Sequence, residues 1–263
     1  MAENLFIWLE QGAGDRVQVL RFLGAAASRV QTLWVRDHLS IADLASLCIP
    51  SLPGNIEWIV PGETRTAIGR QLLWVPGLSL PAHFSQHWSA PYLRTTAPPE
   101  IGTIGLCCFG NRENKLDPVR SLTTEAAGRL NALLTFIGYK VVSLHGSDNA
   151  DRWFAASGQT TPTGRRHNWR QLVDEISRCE MIVTVDTVIS HIAGAMGKPT
   201  HLLTYDPSDW RWMTGVVSGW YPTVRIHRKP LNGDWSMAVA SLISSLDKSD
   251  QRCGAPGSKG LIS

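Results

Sequence analysis

The sequence predicts an α/β protein made of two Rossmann-like halves in tandem, each a parallel sheet with helices between its strands. Short apolar runs alternate with helix-like segments along almost the whole chain, which is typical of βαβ units. Residues 95–100 interrupt the alternation with two prolines, which cannot donate hydrogen bonds to a sheet. We therefore expect a shortened N-terminal domain at 1–97, a C-terminal domain at 98–246 and a flexible tail at 247–263.

The N-terminal half alternates between strand-like and helix-like segments. Apolar residues at 17, 20, 23 and 27 have the spacing of one helix face. Ser40 followed by Asp43 resembles an acidic capping box at a second helix start. The predicted strands are 5–9, 33–35, 57–60 and 72–75, and the predicted helices are 17–28 and 40–47.

The C-terminal half repeats this pattern with longer segments. Thr123 and Glu125 indicate a helix start, while Gly197 and Pro199 indicate a helix end. The predicted strands are 103–109, 140–144, 181–185 and 200–204, and the predicted helices are 123–137, 169–178, 188–196 and 234–246.

Composition excludes several classes of protein. Of the 263 residues, 43% are hydrophobic and 18% are charged, which is a globular balance. The net charge of +3 is too small to indicate a nucleic-acid partner by itself. The sequence has no run of 18 apolar residues and no basic segment typical of a secretion signal. Its five cysteines include no C-x-x-C pair. We therefore expect a cytoplasmic protein with free thiols, no metal site and no membrane span.

In paired Rossmann-like halves, ligands bind beyond the carboxyl ends of the strands. The first such loop is residues 10–15, where Gly12 and Gly14 allow a tight turn beside Gln11. Asp15 at the following helix start is either a simple cap or a carboxylate that faces the cleft and accepts a proton. A dinucleotide fingerprint is disfavoured because Gln18 and Val19 stand where the third glycine should be.

A second loop follows the predicted strand 181–185. Asp186 and Thr187 precede a helix whose free N–H groups are a natural site for phosphate. His191 lies four residues after Thr187, on the same helix face. The alternative interpretation is a capped core helix that contains one satisfied histidine.

Two further loops carry candidate binding residues. Gly110, Asn111, Arg112 and Lys115 follow a predicted strand and suit phosphate or acceptor contacts, although a solvated turn fits them equally well. Residues 207–212 carry Trp210 and Arg211, which suit stacking on a base or sugar ring. A tryptophan-rich packing corner between the domains explains these two residues equally well.

The order and spacing of these motifs resemble glycosyltransferases of the ADP-heptose:lipopolysaccharide heptosyltransferase superfamily (family 9-like). The resemblance is greatest to the branch usually fused to tetratricopeptide repeats, and it covers roughly residues 5–246. The motifs that carry it are residues 10–18, Phe109-Gly110-Asn111 with Arg120-Ser121, residues 186–199, Asp209-Trp210-Arg211-Trp212, Trp220-Tyr221-Pro222 and Arg228.

This resemblance implies a GT-B fold and an inverting, metal-independent transfer from a nucleoside-diphosphate sugar, with no cofactor. Asp15 matches the general base of the family, and Asp186, Thr187 and His191 match its donor-site motif. The donor would bind mainly the C-terminal half and the acceptor mainly the N-terminal half. We expect His191, with Arg112 or Lys115, to offset the charge of the leaving diphosphate.

Several functions remain open at this stage. The expected acceptor is a hydroxyl of a glycan, a lipopolysaccharide or another cell-surface molecule. One alternative is a glycosyltransferase that acts on modified bases in DNA. A non-catalytic module that binds nucleotide sugars, and a nicotinamide-dependent oxidoreductase, are further alternatives.

Overall fold

The N-terminal half folds around a four-stranded parallel sheet. The computed structural model describes residues 2–37, 41–59, 73–84, 91–160 and 168–253. The strands of this sheet are β1 (Ala2–Trp8), β2 (Val30–Arg36), β3 (Ile56–Ile59) and β4 (Leu73–Pro76). They lie in the order β3-β2-β1-β4, and each neighbouring pair is parallel. Helices or loops must therefore cross the sheet between consecutive strands.

Helix α1 (Ala13–Ala27) covers one face of this sheet. Val17, Leu20 and Leu23 are buried, as the predicted helix face requires. The helix begins earlier than the predicted start at residue 17, because Gly12 is already extended and ends the preceding loop.

Two short segments of this half are 3₁₀ helices, at Ile41–Leu47 and Gly77–Ala82. The first replaces the predicted α-helix 40–47, since so short a segment readily forms the tighter turn. The proposed cap Ser40, and the ends of two predicted strands at Val60 and Leu72, lie outside the described residues.

The C-terminal half contains a five-stranded sheet that is also fully parallel. Its strands are β5 (Glu100–Cys107), β6 (Lys140–Ser143), β7 (Cys179–Val185), β8 (Thr200–Asp206) and β9 (Val224–Pro230). They lie in the order β6-β5-β7-β8-β9. The helices of this half are α2 (Asp117–Arg120), α3 (Thr124–Phe136), α4 (Ala150–Ser157), α5 (Trp169–Arg178), α6 (Val188–Ala195) and α7 (Ser236–Cys253).

Three differences from the predicted elements have physical reasons. Strand β9 was not predicted, because His227 and Lys229 are buried beside Val224 and Ile226 and hide the apolar alternation. Helix α4 was not predicted either, since its buried face consists of Trp153 alone. Helix α7 continues past the predicted end at 246 into the segment expected to be a flexible tail.

The two halves share one continuous hydrophobic core, in which α1 packs against α6. The chain between the sheets reinforces this contact, because the N–H groups of Tyr92 and Leu93 donate to the carbonyl of Ala195 at 2.8 and 3.0 Å. None of the helices in the described ranges is long and apolar enough to cross a membrane. The shared core fixes the position of each sheet relative to the other.

Candidate active site

A cavity of about 570 Å³ lies between the halves, where the carboxyl ends of several strands meet. In each sheet the strand order reverses at one point, between β1 and β4 in the first sheet and between β5 and β7 in the second. The connections on either side of such a switch point run to opposite faces of the sheet and leave a crevice between them. The loops after β1, β5 and β7 all reach this cavity. The predicted site residues that line it are Gln11, Gly12, Gly14, Asp15, Gly110, Asn111, Asp186, Thr187, His191 and Arg211.

The loop after β1 is held by a buried ion pair. Arg16 and Asp37 are both fully buried, with Nη1 and Oδ1 3.1 Å apart. The Arg16 guanidinium also donates to the carbonyl of Gln11 at 3.1 and 3.3 Å. Gln11 has a φ of +63°, a conformation that is costly for a residue with a side chain. The buried pair therefore stabilises a strained turn at the cavity edge.

Asp15 lies at the third position of α1, where its side chain contacts both the helix start and the cavity. Its carboxylate accepts a hydrogen bond from the N–H of Gly12, the actual N-cap residue, at 3.1 Å. The same carboxylate lines the cavity. Asp15 is therefore a helix-start residue whose side chain also faces the cleft.

Arg211 joins Asp15 to the C-terminal half. Its guanidinium forms an ion pair with Asp15 and a second one with Asp209 at 2.6 Å. It also donates to the side-chain oxygen of Gln11 at 3.2 Å. Burial raises the pKa of Asp15, and the nearby Arg211 charge opposes this rise. Because Arg211 also pairs with Asp209, its single positive charge is divided between two carboxylates.

Helix α6 also begins at the cavity, next to the start of α1. Thr187 caps it, and its Oγ1 accepts a hydrogen bond from the N–H of Ile189 at 3.3 Å. Burial raises the pKa of Asp186 to about 6, and the positive charge of Arg120 opposes this rise. A carboxyl at a helix start is thus poised to take up a proton when an anion binds beside it.

His191 is a buried residue that also borders the cavity. Its Nδ1 lies 3.0 Å from the Tyr221 hydroxyl, and its ring packs against Trp212 with centroids 5.0 Å apart. Burial, with the nearby Arg211 and Arg21 charges, lowers its pKa to about 3. His191 is therefore neutral at physiological pH and offers a hydrogen bond rather than a positive charge.

Gly14 sets the distance between α1 and α6. A Cβ at this position would lie 2.5 Å from Cδ2 of His191. Any larger residue would push the two helix starts apart. The glycine that the sequence indicates as a turn residue is thus required for close helix contact.

Three predicted binding residues lie away from the cavity. Arg112 pairs with Asp151 on α4, and Lys115 is exposed. Trp210 is 53% exposed and packs edge-on against Trp220 at 6.1 Å. These positions fit the alternatives of a solvated turn and a packing corner.

Sequence reasoning missed Arg120 as a site residue. It lines the cavity, and its Nε is buried without a hydrogen-bond partner among the described residues. A Cβ at Gly110 would lie 2.7 Å from its Nη2, so glycine allows the guanidinium to lie against this loop. The only sequence signal was the Arg120-Ser121 match. Ser121 accepts a hydrogen bond from the N–H of Gly110 at 2.8 Å and fixes the loop.

The thiols and carboxylates do not form a metal site in the part of the chain that is described. No group of three or more histidine, cysteine, aspartate or glutamate side chains there could hold a metal ion. Cys48, Cys107, Cys108 and Cys179 are free and buried. Burial raises the pKa of Cys107 to about 11, which makes it an inert thiol.

The two-sheet architecture is shared with solved glycosyltransferase structures. E. coli heptosyltransferase WaaC with ADP matches with a TM-score of 0.62 at 11% identity, over 94% of this chain and 99% of that chain. The E. coli dodecameric glycosyltransferase TibC matches with a TM-score of 0.59 at 14% identity, over 96% and 77%. A family 9 glycosyl transferase from Veillonella parvula matches with a TM-score of 0.59 at 11% identity, over 97% and 90%.

At these identities the likeness shows a shared fold. It confirms the predicted α/β architecture with two Rossmann-like sheets of the GT-B type. No protein-family model and no curated protein matches the sequence. The predicted link to the branch fused to tetratricopeptide repeats stays a prediction.

Replacing Asp37 by asparagine is expected to lower the free energy of unfolding by about 3 kcal/mol, because it removes the carboxylate charge paired with the buried Arg16 guanidinium. Urea unfolding measures this change. Glu125→Gln is the matched control, since it breaks an exposed ion pair with Arg129. Equal stability of the two variants would contradict a structural role for the buried pair.

Proposed function

We propose that the chain is an inverting glycosyltransferase that moves a sugar from a nucleoside-diphosphate donor to a hydroxyl acceptor. The observation that carries this proposal is the set of residues brought together in one cavity. Asp15 from the N-terminal half lines it together with Arg120 and the start of α6 from the C-terminal half. A base and an anion site that share one cavity are what a single displacement requires. The similar structures with ADP and ADP-heptose support the same class of donor.

In this reaction the acceptor oxygen attacks the anomeric carbon and the bond from that carbon to the diphosphate oxygen breaks. Asp15 takes the acceptor proton, and the diphosphate leaves with the bonding electron pair. General-base assistance contributes on the order of 10²–10⁴ in rate. Burial raises the pKa of Asp15 and so favours this role.

The charge that develops on the diphosphate is stabilised by the C-terminal half. The free N–H groups at the start of α6 point toward the anion, as helix starts commonly do. Arg120 supplies the positive charge, because it lines the cavity and its Nε is buried without a hydrogen-bond partner in the described part of the chain. Such fixed donors and charges stabilise the leaving group without rearrangement. We therefore propose that Arg120 takes the part expected of Arg112 or Lys115.

The donor is identified by calorimetry with ADP, UDP and GDP, followed by the corresponding nucleotide sugars. We expect at least one nucleoside diphosphate to bind in the cavity. Failure of all three to bind would overturn the proposed donor site. Release of that diphosphate in the presence of a panel of glycan acceptors then measures transfer.

Replacing Asp15 by asparagine is expected to reduce transfer about 10²–10⁴-fold, while donor binding remains. The amide keeps the shape of the side chain but cannot accept the acceptor proton. Diphosphate release measures the rate, and calorimetry measures donor affinity. Glu10→Gln is the control, because it removes a carboxylate from the same loop outside the cavity lining. Equal rates in the two variants would exclude Asp15 as the base.

Replacing Arg120 by methionine is expected to weaken diphosphate binding about tenfold or more, because a charged hydrogen bond to phosphate is lost. Arg112→Met removes a positive charge from the same segment but outside the cavity, so its affinity should stay close to that of the unmodified protein. Calorimetry at a fixed salt concentration compares the two. Equal weakening would show that the charge acts at long range and not at the site.

Donor binding is expected to take up a proton near neutral pH. The pKa of Asp186 is raised to about 6 by burial, and a nearby diphosphate raises it further. The affinity should therefore fall as pH rises from about 6 through the pKa of the bound state. Calorimetry of a nucleotide sugar in buffers of different ionisation enthalpy measures the uptake, and Asp186→Asn should abolish it. Uptake that persists in this variant would assign the proton to another group.

A further inference from the structure

A hydrogen-bonded series runs from the interface between the halves to the cavity. It begins at Arg21, whose Nη2 donates to the Tyr92 hydroxyl at 3.4 Å. The Tyr92 and Tyr221 hydroxyls are 3.4 Å apart, and Tyr221 lies 3.0 Å from Nδ1 of His191. All four side chains are buried. Each proton in this series therefore has few possible acceptors.

The position of each proton follows from the donors present. A guanidinium has only donors, so both phenol oxygens near Arg21 direct lone pairs toward it. Tyr92 uses its own proton to donate to the carbonyl of Val17 at 2.9 Å. The proton of Tyr221 then has two acceptors, the Tyr92 oxygen at 3.4 Å and the nearer Nδ1 of His191 at 3.0 Å.

The shorter contact decides between the two arrangements. If Tyr221 donates to Nδ1, the single proton of the neutral imidazole must sit on Nε2. The reverse arrangement relies on the longer phenol contact and leaves Nε2 as a bare acceptor. Nε2 lies on the opposite edge of the ring, beside Gly14 of α1, and no hydrogen-bond partner for it is present among the described residues. Both Gly14 and His191 line the cavity.

We propose that Tyr221 is a positioning residue that holds His191 with its proton on Nε2, so that a neutral N–H donor faces the diphosphate. This inference rests on the proposed function. It gives His191 a specific part in donor binding, since a bare nitrogen would repel the anion. A neutral donor also avoids an additional buried charge beside Arg211 and Arg21.

The packing around the pair supports a fixed orientation. A Cβ at Gly194 would lie 2.4 Å from the Tyr221 ring, so glycine admits the ring against α6. Trp212 packs against both rings, with centroids 5.0 Å from His191 and 6.3 Å from Tyr221. Neither ring can turn over without displacing these neighbours. The packing of Tyr221 against α6 thus fixes its hydrogen bond with His191.

The tautomer is measured on the full chain by ¹⁵N NMR of labelled histidine, because a bare ring nitrogen resonates far downfield of a protonated one. The His191 signals are assigned by their loss in His191→Gln. We expect a bare Nδ1 and a protonated Nε2 in the unmodified protein. A protonated Nδ1 would overturn the proposal, and this measurement needs no ligand.

The substitution Tyr221→Phe keeps the ring and removes the hydroxyl. It is expected to give mixed tautomers and to weaken binding of ADP, UDP or GDP about five- to tenfold, the effect of one hydrogen bond. Tyr92→Phe removes the neighbouring hydroxyl and should leave the His191 tautomer unchanged. An unaltered tautomer and affinity in Tyr221→Phe would overturn the role of Tyr221. If His191 has the predicted tautomer but none of the three diphosphates binds, the proposed donor site is overturned and the role of Tyr221 in setting the tautomer is not.

Discussion

The close contact between α1 and α6 determines the candidate site. Gly14 lets the two helix starts approach, because a Cβ there would overlap His191. One start carries Asp15 from the N-terminal sheet, and the other carries Thr187 from the C-terminal sheet. Helix starts present free N–H groups and attract anions. The proposed base and the proposed anion site thus line the same cavity as a direct result of helix packing.

The shared core also restricts how the cavity can change. Two lobes with separate cores rotate readily about a linker, whereas here both sheets contribute to one apolar cluster. The N–H groups of Tyr92 and Leu93 add backbone bonds across the contact. The shared core and these bonds therefore oppose a large rotation of one sheet against the other.

The sequence predicted those elements whose apolar pattern matches a single buried face. Helix α5 (Trp169–Arg178) has the predicted bounds, and Thr123 caps α3 as expected. Strand β9 was not predicted, because the buried residues His227 and Lys229 resemble surface residues in the pattern. The place of Arg120 in the cavity depends on how α2 folds back against Gly110 in the loop before it, which is a tertiary property. Sequence alone equally could not tell that Arg112 turns toward Asp151.

The pairing of Asp15 with Arg211 opposes the proposed role of Asp15 as a base, since a nearby cation makes a carboxylate less basic. Three features limit that effect. Asp209 forms an ion pair with the same guanidinium at 2.6 Å, and the side-chain oxygen of Gln11 accepts a hydrogen bond from it. Burial also raises the pKa of Asp15 and so opposes the effect of the Arg211 charge. In the proposed reaction, Arg211 would therefore keep Asp209 and Gln11 as partners when an acceptor hydroxyl displaces it from Asp15. The ion pair with Asp15 would orient the carboxylate before the acceptor binds and would break when the carboxylate takes up the acceptor proton.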